Sequence, residues 1–227
     1  MNVVTAIGVA GVAIVSITSH EAAHGFVADR LGDPTARERG RLTLNPIPHI
    51  DLVFTILLPV FLILSHAGFI FGGAKPVPVD VKRLRRPRRD WALVGAAGPA
   101  MNVAIAIVLS AILWAVTLAG FADPSSRVTE ILAIGIYLNV LLAVFNLVPI
   151  PPLDGSRIVQ FFLSGETLVF YRRIEQYGLF IIMGLIFFAP RLQAFVGAAI
   201  FGLVGLITMP FGMTAEVEPL LRRVLFH

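Results

Sequence analysis

The chain of 227 residues contains no cysteine. Disulfides, thiolate metal ligands and cysteine nucleophiles are therefore excluded together, and any metal must be held by nitrogen and oxygen. Charge is also scarce: Asp, Glu, Lys and Arg supply 14% of the residues, against about 25% in a typical soluble domain. The first apolar run lacks the basic leader and small-residue cleavage site of a secretory signal, so it reads as a retained helix. Internal repeats and low-complexity tracts are missing too, and no appended soluble module is expected.

What the chain does have is hydrophobic residues, 57% of the total, where soluble domains hold about 45–50%. Several apolar stretches approach the roughly 20 residues that cross a bilayer as a helix. These features predict an all-α polytopic membrane protein with about five to six transmembrane segments. One membrane-embedded domain is expected over residues 1–227, with a core at 1–158 and apolar helices in 159–227. The expected location is the cell membrane, as a multi-pass protein in contact with the lipid bilayer. The net charge of +4 does not point to nucleic acid, because the basic residues flank apolar runs, as topology signals do, without aromatic interleaving.

The first helix is expected from about Asn2 to Leu31, stopped by "LGDPTARERG". The next stretch, "RLTLNPIPHID", reads as extended or turn, since Pro46 and Pro48 bias their predecessors away from helix. Apolar residues resume over 52–71 and pass into "GGAKPVPVD", whose glycines and prolines forbid a continuous helix. Firm spans follow over about 91–120 and 128–148. Gly95 and Gly98 give the first of these a small-residue face for close helix contact. Two weaker apolar stretches lie at about 174–189 and 192–209.

Four arginines follow the first helix between Arg30 and Arg41, and seven Lys or Arg lie between Lys75 and Arg89. By the positive-inside rule both groups are cytoplasmic. A single ordinary span over 52–71 would put Arg37 and Arg85 on opposite sides. Either the chain re-enters, with an extended segment near residues 66–80 satisfied by neighbouring protein or a water-filled cavity, or one basic cluster is translocated. The re-entrant form is the expectation carried forward.

The chemistry begins with "HEAAH" at 20–24. Residues i and i+4 share one helix face, so His20 and His24 can direct two imidazoles at one ion. Glu21 sits beside them, suited to take a proton from an attacking water, its role in metalloproteases with this pattern. A pair of helical histidines can also be hydrogen-bonded core residues. Ionisable groups inside a membrane are costly enough, however, to favour the functional reading.

A catalytic zinc needs a third protein ligand, and the metzincin continuation would place it at Arg30, which is no ligand. Asp154 in "NLVPIPPLDG" follows a span ending on the same side as the first helix and is the best candidate. His49 and Asp51 compete for that role or for one orienting a ligand, and His49, like His66, reads more simply as an interfacial polar residue. Asn102 and Asn146 are amides in apolar helices, either interhelical glue or donors to the oxyanion of peptide hydrolysis. Asn146, two turns before Asp154, is the better oxyanion candidate.

Five segments together resemble the site-2 proteases, zinc metalloproteases that cut peptide bonds within or beside membrane-spanning segments. They are "HEAAHG" at 20–25, "GDPTARERGRLTLNPIPHID" at 32–51, "GGAKPVPVD" at 72–80, "AAGPAMN" at 96–102 and "FNLVPIPPLDGSRI" at 145–158. The chain looks like the short bacterial branch without PDZ or CBS domains. The resemblance implies that His20, His24 and Asp154 bind one Zn2+, that Glu21 activates water and that Asn146 lies in the substrate or oxyanion region. It also implies an extended re-entrant strand that pairs with an unwound substrate. The last seventy or so residues carry no matching motif.

The expected function is that of an intramembrane zinc endopeptidase acting on transmembrane protein substrates. The alternative is a non-proteolytic metal-binding membrane protein such as a metal transporter.

Overall fold

A computed structural model describes residues 2–57, 60–61, 64–65, 72–123 and 125–226. Helix α1 spans Val3–Arg30, and its first turn is capped by Asn2, whose side chain accepts the Thr5 N–H at 2.9 Å. The helix stops at Gly32, whose φ of +110° is open to glycine and strained for other residues. Short helix α2 covers Thr35–Glu38. Helix α3, Pro87–Leu118, begins with proline where no intrahelical N–H is needed, and the Asp90 carboxylate accepts the Arg86 N–H at 2.8 Å. Helix α4, Arg127–Asn146, is capped by Ser126 and ends just before the proline-rich "VPIPPLDG".

Further α-helices among the described residues are α5 (Asp154–Phe162), α6 (Gly165–Ile174), α7 (Gly178–Phe188), α8 (Pro190–Thr208) and α9 (Thr214–Phe226). No β-strand occurs among the described residues, in line with the all-α expectation.

Among the described residues four helices are long and apolar enough to cross a membrane: Val3–Arg30, Pro87–Leu118, Arg127–Asn146 and Pro190–Phe211. Large apolar side chains such as Ile7, Leu118 and Phe195 point outward from them, the pattern expected where the solvent is lipid. Of the additional expected spans, α7 has only eleven residues, too few to cross a bilayer alone. The apolar segment at 52–71 lies partly outside the described residues. Its described start, Leu52–Leu57, is a π-helical turn.

Polar cross-links give the helix directions. Thr5 near the start of α1 bonds Glu130 near the start of α4 (3.0 Å), so these two helices run parallel. Leu31 at the end of α1 accepts an N–H from Arg85, just before α3, at 3.0 Å, so α3 runs antiparallel to α1.

The same contacts settle the charge conflict. Arg83 pairs with Glu38 at 2.8 Å, and Arg88 donates to the Phe161 carbonyl at 2.9 Å. Both basic clusters therefore sit at one end of the bundle, and the chain between them returns to the end it left. Residues 72–80 carry no helix or strand pairing, consistent with the extended reading; 66–71 lie outside the described residues.

One apolar core joins α3, α4, α8 and α9 through residues such as Leu113, Ile136, Val204 and Leu221. A smaller cluster of Ala28, Leu84 and Val94 packs the end of α1 against the start of α3, where the candidate site lies.

Candidate metal centre

Helix α1 places His20 and His24 one turn apart on its buried face, and α5 brings Asp154 against them as its first residue. The Asp154 Oδ2 atom lies 3.0 Å from His20 Nε2 and 3.1 Å from His24 Nε2. The two imidazole Nε2 atoms are themselves 3.1 Å apart. All three residues are buried.

Glycines make this approach possible. A Cβ on Gly98 would sit 2.5 Å from His20 Nε2 and from His24 Nε2, and one on Gly95 would meet Arg157 Cβ at 2.8 Å and the Asp154 carbonyl at 2.9 Å. The small-residue face expected on α3 is thus where both the histidines and α5 are seated.

The donor set fits a divalent metal. His24 Nδ1 lies 2.6 Å from the Val94 carbonyl, and a carbonyl only accepts, so Nδ1 carries a proton and, in the neutral ring, Nε2 presents a lone pair. Asp154 Oδ1 is paired with Arg157 at 3.1 Å, whereas Oδ2 is buried without a hydrogen-bond donor. Electron-rich atoms converging in a buried place repel unless a cation lies among them. Zinc bonds of about 2.0–2.1 Å in a tetrahedron put ligand atoms roughly 3.3 Å apart, close to the spacing here. Among the described residues these three form the one His/Asp/Glu group with such convergence.

Burial by itself would raise the Asp154 carboxyl pKa. The positive charge of Arg157 beside Oδ1 opposes this, and the carboxyl is held below the ordinary carboxylate range. Arg157 is held in turn over the Trp91 ring, 4.6 Å from its centroid.

A cleft of ≈ 290 Å³ opens beside the three donors. Glu21 and Asn146 both line it, together with Gly73, Pro76 and Val77 of the extended segment. The Glu21 carboxylate accepts the Val77 N–H at 2.9 Å, leaving its other oxygen for the cleft. The Asn146 side chain, half-buried, donates to the Leu142 carbonyl of its own helix at 2.9 Å.

The competitors lie elsewhere. His49 is buried, with Nε2 donating to the Thr43 carbonyl at 3.0 Å, and its own carbonyl accepts the Lys75 N–H at 2.8 Å. It anchors the extended segment and is not in the donor cluster. The Asp51 carboxylate accepts the Val53 N–H at 2.9 Å, and His66 falls outside the described residues. Asn102 faces His20 Nδ1 at 2.6 Å.

Sequence reasoning passed over Asn139, Ser16 and the Arg157–Asp154 pair. Signals for them existed: Asn139 is an amide in an apolar helix like Asn102, Ser16 lies one turn before His20, and Arg157 lies one turn after Asp154. The Val77 N–H contact had no local signal, since it depends on how a loop folds back.

The family model of peptidase family M50 matches residues 116–189, which include Asn146 and Asp154. A Bacillus subtilis protein named "Putative zinc metalloprotease YwhC" is 40% identical over 180 residues, 78% of this chain and 78% of that protein. The Rip2 proteins of Mycolicibacterium smegmatis and Mycobacterium tuberculosis, which carry the same description, are 34% and 31% identical. Those matches cover 79% and 92% of this chain, and 66% and 77% of the respective relatives. No solved structure matches significantly.

The chain belongs to peptidase family M50, the group its motifs resemble. It is a zinc metalloprotease with membrane-integral helices.

Proposed function

We propose that this protein cleaves peptide bonds within or next to transmembrane segments of other membrane proteins in the cell membrane, with His20, His24 and Asp154 holding one Zn2+. The observation that carries this reading is the convergence of the two Nε2 atoms and Asp154 Oδ2, at 3.0–3.1 Å, on a cleft that Glu21 also lines. A zinc ion held by these three residues would supply Lewis-acid polarisation of the scissile carbonyl and would lower the pKa of the attacking water.

Glu21 takes the proton from the attacking water and passes it to the leaving amine, a general acid–base role of about 10²–10⁴ in rate. One of its oxygens is fixed by Val77, so the other is aimed without a search of rotamers. Asn146 lines the same cleft, and rotation of its amide away from Leu142 makes Nδ2 a donor to the carbonyl oxygen as charge develops there. The backbone of residues 73–77 and the proline run before Asp154 border the cleft with non-helical chain. Such walls accept an extended peptide, and a substrate helix must unwind to expose its carbonyls.

Quantitative comparison of membrane peptides in cells carrying wild type and Glu21→Gln tests this reading. Specific transmembrane fragments should persist in the variant and be lost in wild type, with zinc retained in both. Equal fragment profiles would reject proteolysis by this site.

A further inference from the structure

A buried line of hydrogen bonds runs from α4 through α3 to His20, and two backbone carbonyls at its far end set its direction. Ser16 Oγ donates to the Val12 carbonyl at 2.7 Å. Asn139 Nδ2 donates to the Gly135 carbonyl at 2.9 Å and to Ser16 Oγ at 2.8 Å. A carbonyl only accepts, so the Asn139 atom facing Gly135 must be its NH2 group. Ser16 has its single proton committed to Val12 and can only accept from Asn139.

The Asn139 carbonyl is thereby turned toward Asn102, whose Nδ2 meets it at 3.0 Å. That leaves Asn102 Oδ1 against His20 Nδ1 at 2.6 Å. An amide oxygen only accepts, so His20 must carry a proton on Nδ1, and in the neutral ring that a metal requires Nε2 then presents a lone pair. Reversing the Asn102 amide would set oxygen against oxygen at Asn139 and bring an N–H up to Nδ1. Ser16, Asn102 and Asn139 are each 0% exposed, so bulk water does not intervene to relax the pattern.

We propose that Asn139, acting through Asn102, is a positioning residue of the metal centre. It fixes the proton of His20 on the ring nitrogen remote from the metal and holds Nε2 toward the cation. This rests on the assignment of His20 as a metal donor. Amides that merely joined helices would need no particular direction, whereas this one is set by carbonyls of α1 and α4 and ends at the ligand.

The test uses the full chain purified as wild type, Asn102→Leu, Asn139→Leu, the double variant, Asn139→Asp and His20→Ala. Zinc affinity is read by chelator competition, and ligand geometry by the visible absorption of the Co2+-loaded protein. Asn102→Leu and Asn139→Leu should each weaken zinc binding, on the order of 10–100-fold, and change the Co2+ spectrum. The double variant should be no weaker than Asn102→Leu alone, because the two amides act in series. Asn139→Asp, in its neutral form, keeps an acceptor toward Asn102 and a donor toward Gly135, and should restore affinity and spectrum toward wild type.

Wild-type zinc affinity and spectrum in Asn139→Leu, or additive losses in the double variant, would overturn the relay and leave the amides as helix glue. Should Asn139→Leu not yield folded protein, Asn139→Ala is read the same way. If His20→Ala itself keeps wild-type affinity, the donor assignment fails. If His20→Ala loses zinc and Asn139→Leu does not, only the relay fails.

Discussion

The Glu21 carboxylate and the Val77 backbone N–H, 56 positions apart in the chain, meet at 2.9 Å. This contact ties the helix carrying both histidines to the extended segment that borders the cleft. The segment is itself pinned: Arg41 donates to the Lys75 carbonyl at 2.7 Å, and Asp33 accepts the Asp80 N–H at 2.6 Å. The contact thus holds the proposed base between two fixed parts of the fold.

Val77→Pro removes the donor and keeps an extended backbone, because Val77 already precedes a proline. Loss of a hydrogen bond to a charged group corresponds to about tenfold or more. Peptide cleavage should fall by about that factor in kcat/KM while zinc content stays at the wild-type level. Kinetics of a cleaved reporter substrate, with parallel metal analysis, check this; unchanged kinetics would mean that Glu21 needs no such support.

Gly98 packs directly against both imidazoles. In Gly98→Ala the new methyl would lie 2.5 Å from both Nε2 atoms, which forces the imidazoles aside. Zinc affinity should drop by more than about tenfold, by analogy with displaced ligand orientation. Gly202→Ala, where nothing lies within 4 Å of the added carbon, is the matched control. It should retain affinity and raise the thermal midpoint slightly, since glycine is the poorer helix former.

Arg157 stands behind the third donor. Arg157→Gln removes a positive charge that helps hold Asp154 ionised. A depressed carboxyl pKa contributes stability at and above ordinary carboxylate pH and loses it as pH falls through the depressed value. Weakening the depression moves that loss upward. Acid titration of zinc release should therefore show its midpoint at higher pH in Arg157→Gln than in wild type; coincident midpoints would remove Arg157 from the account.

Much of this arrangement is legible in the sequence. The spans α1, α3 and α4 are continuous apolar runs with clear stops at Gly32, at Gly120 and before Pro149, so length and breakers located them. His20 and His24 share a face by helical period alone. Asp154 followed from charge distribution, which set the end of α4 beside the end of α1. The Asn139–Asn102–His20 line was not legible, because it needs the rotation of three helices about their axes, and apolar helices with weak periodicity do not reveal that rotation. Helix α7 read as a further span because its residues are uniformly apolar, whereas Phe188 is followed by Ala189 and Pro190, which end it after eleven residues.

The most direct test of the central claim is the zinc content of the purified full chain, measured for wild type, Glu21→Gln, His24→Ala and Asp154→Ala. Close to one zinc per chain, on the order expected for a single three-ligand site, should be found in wild type and Glu21→Gln, and little in His24→Ala and Asp154→Ala. Undiminished zinc in Asp154→Ala would contradict the assignment of the third ligand, and wild-type protein that binds no zinc would contradict the account as a whole.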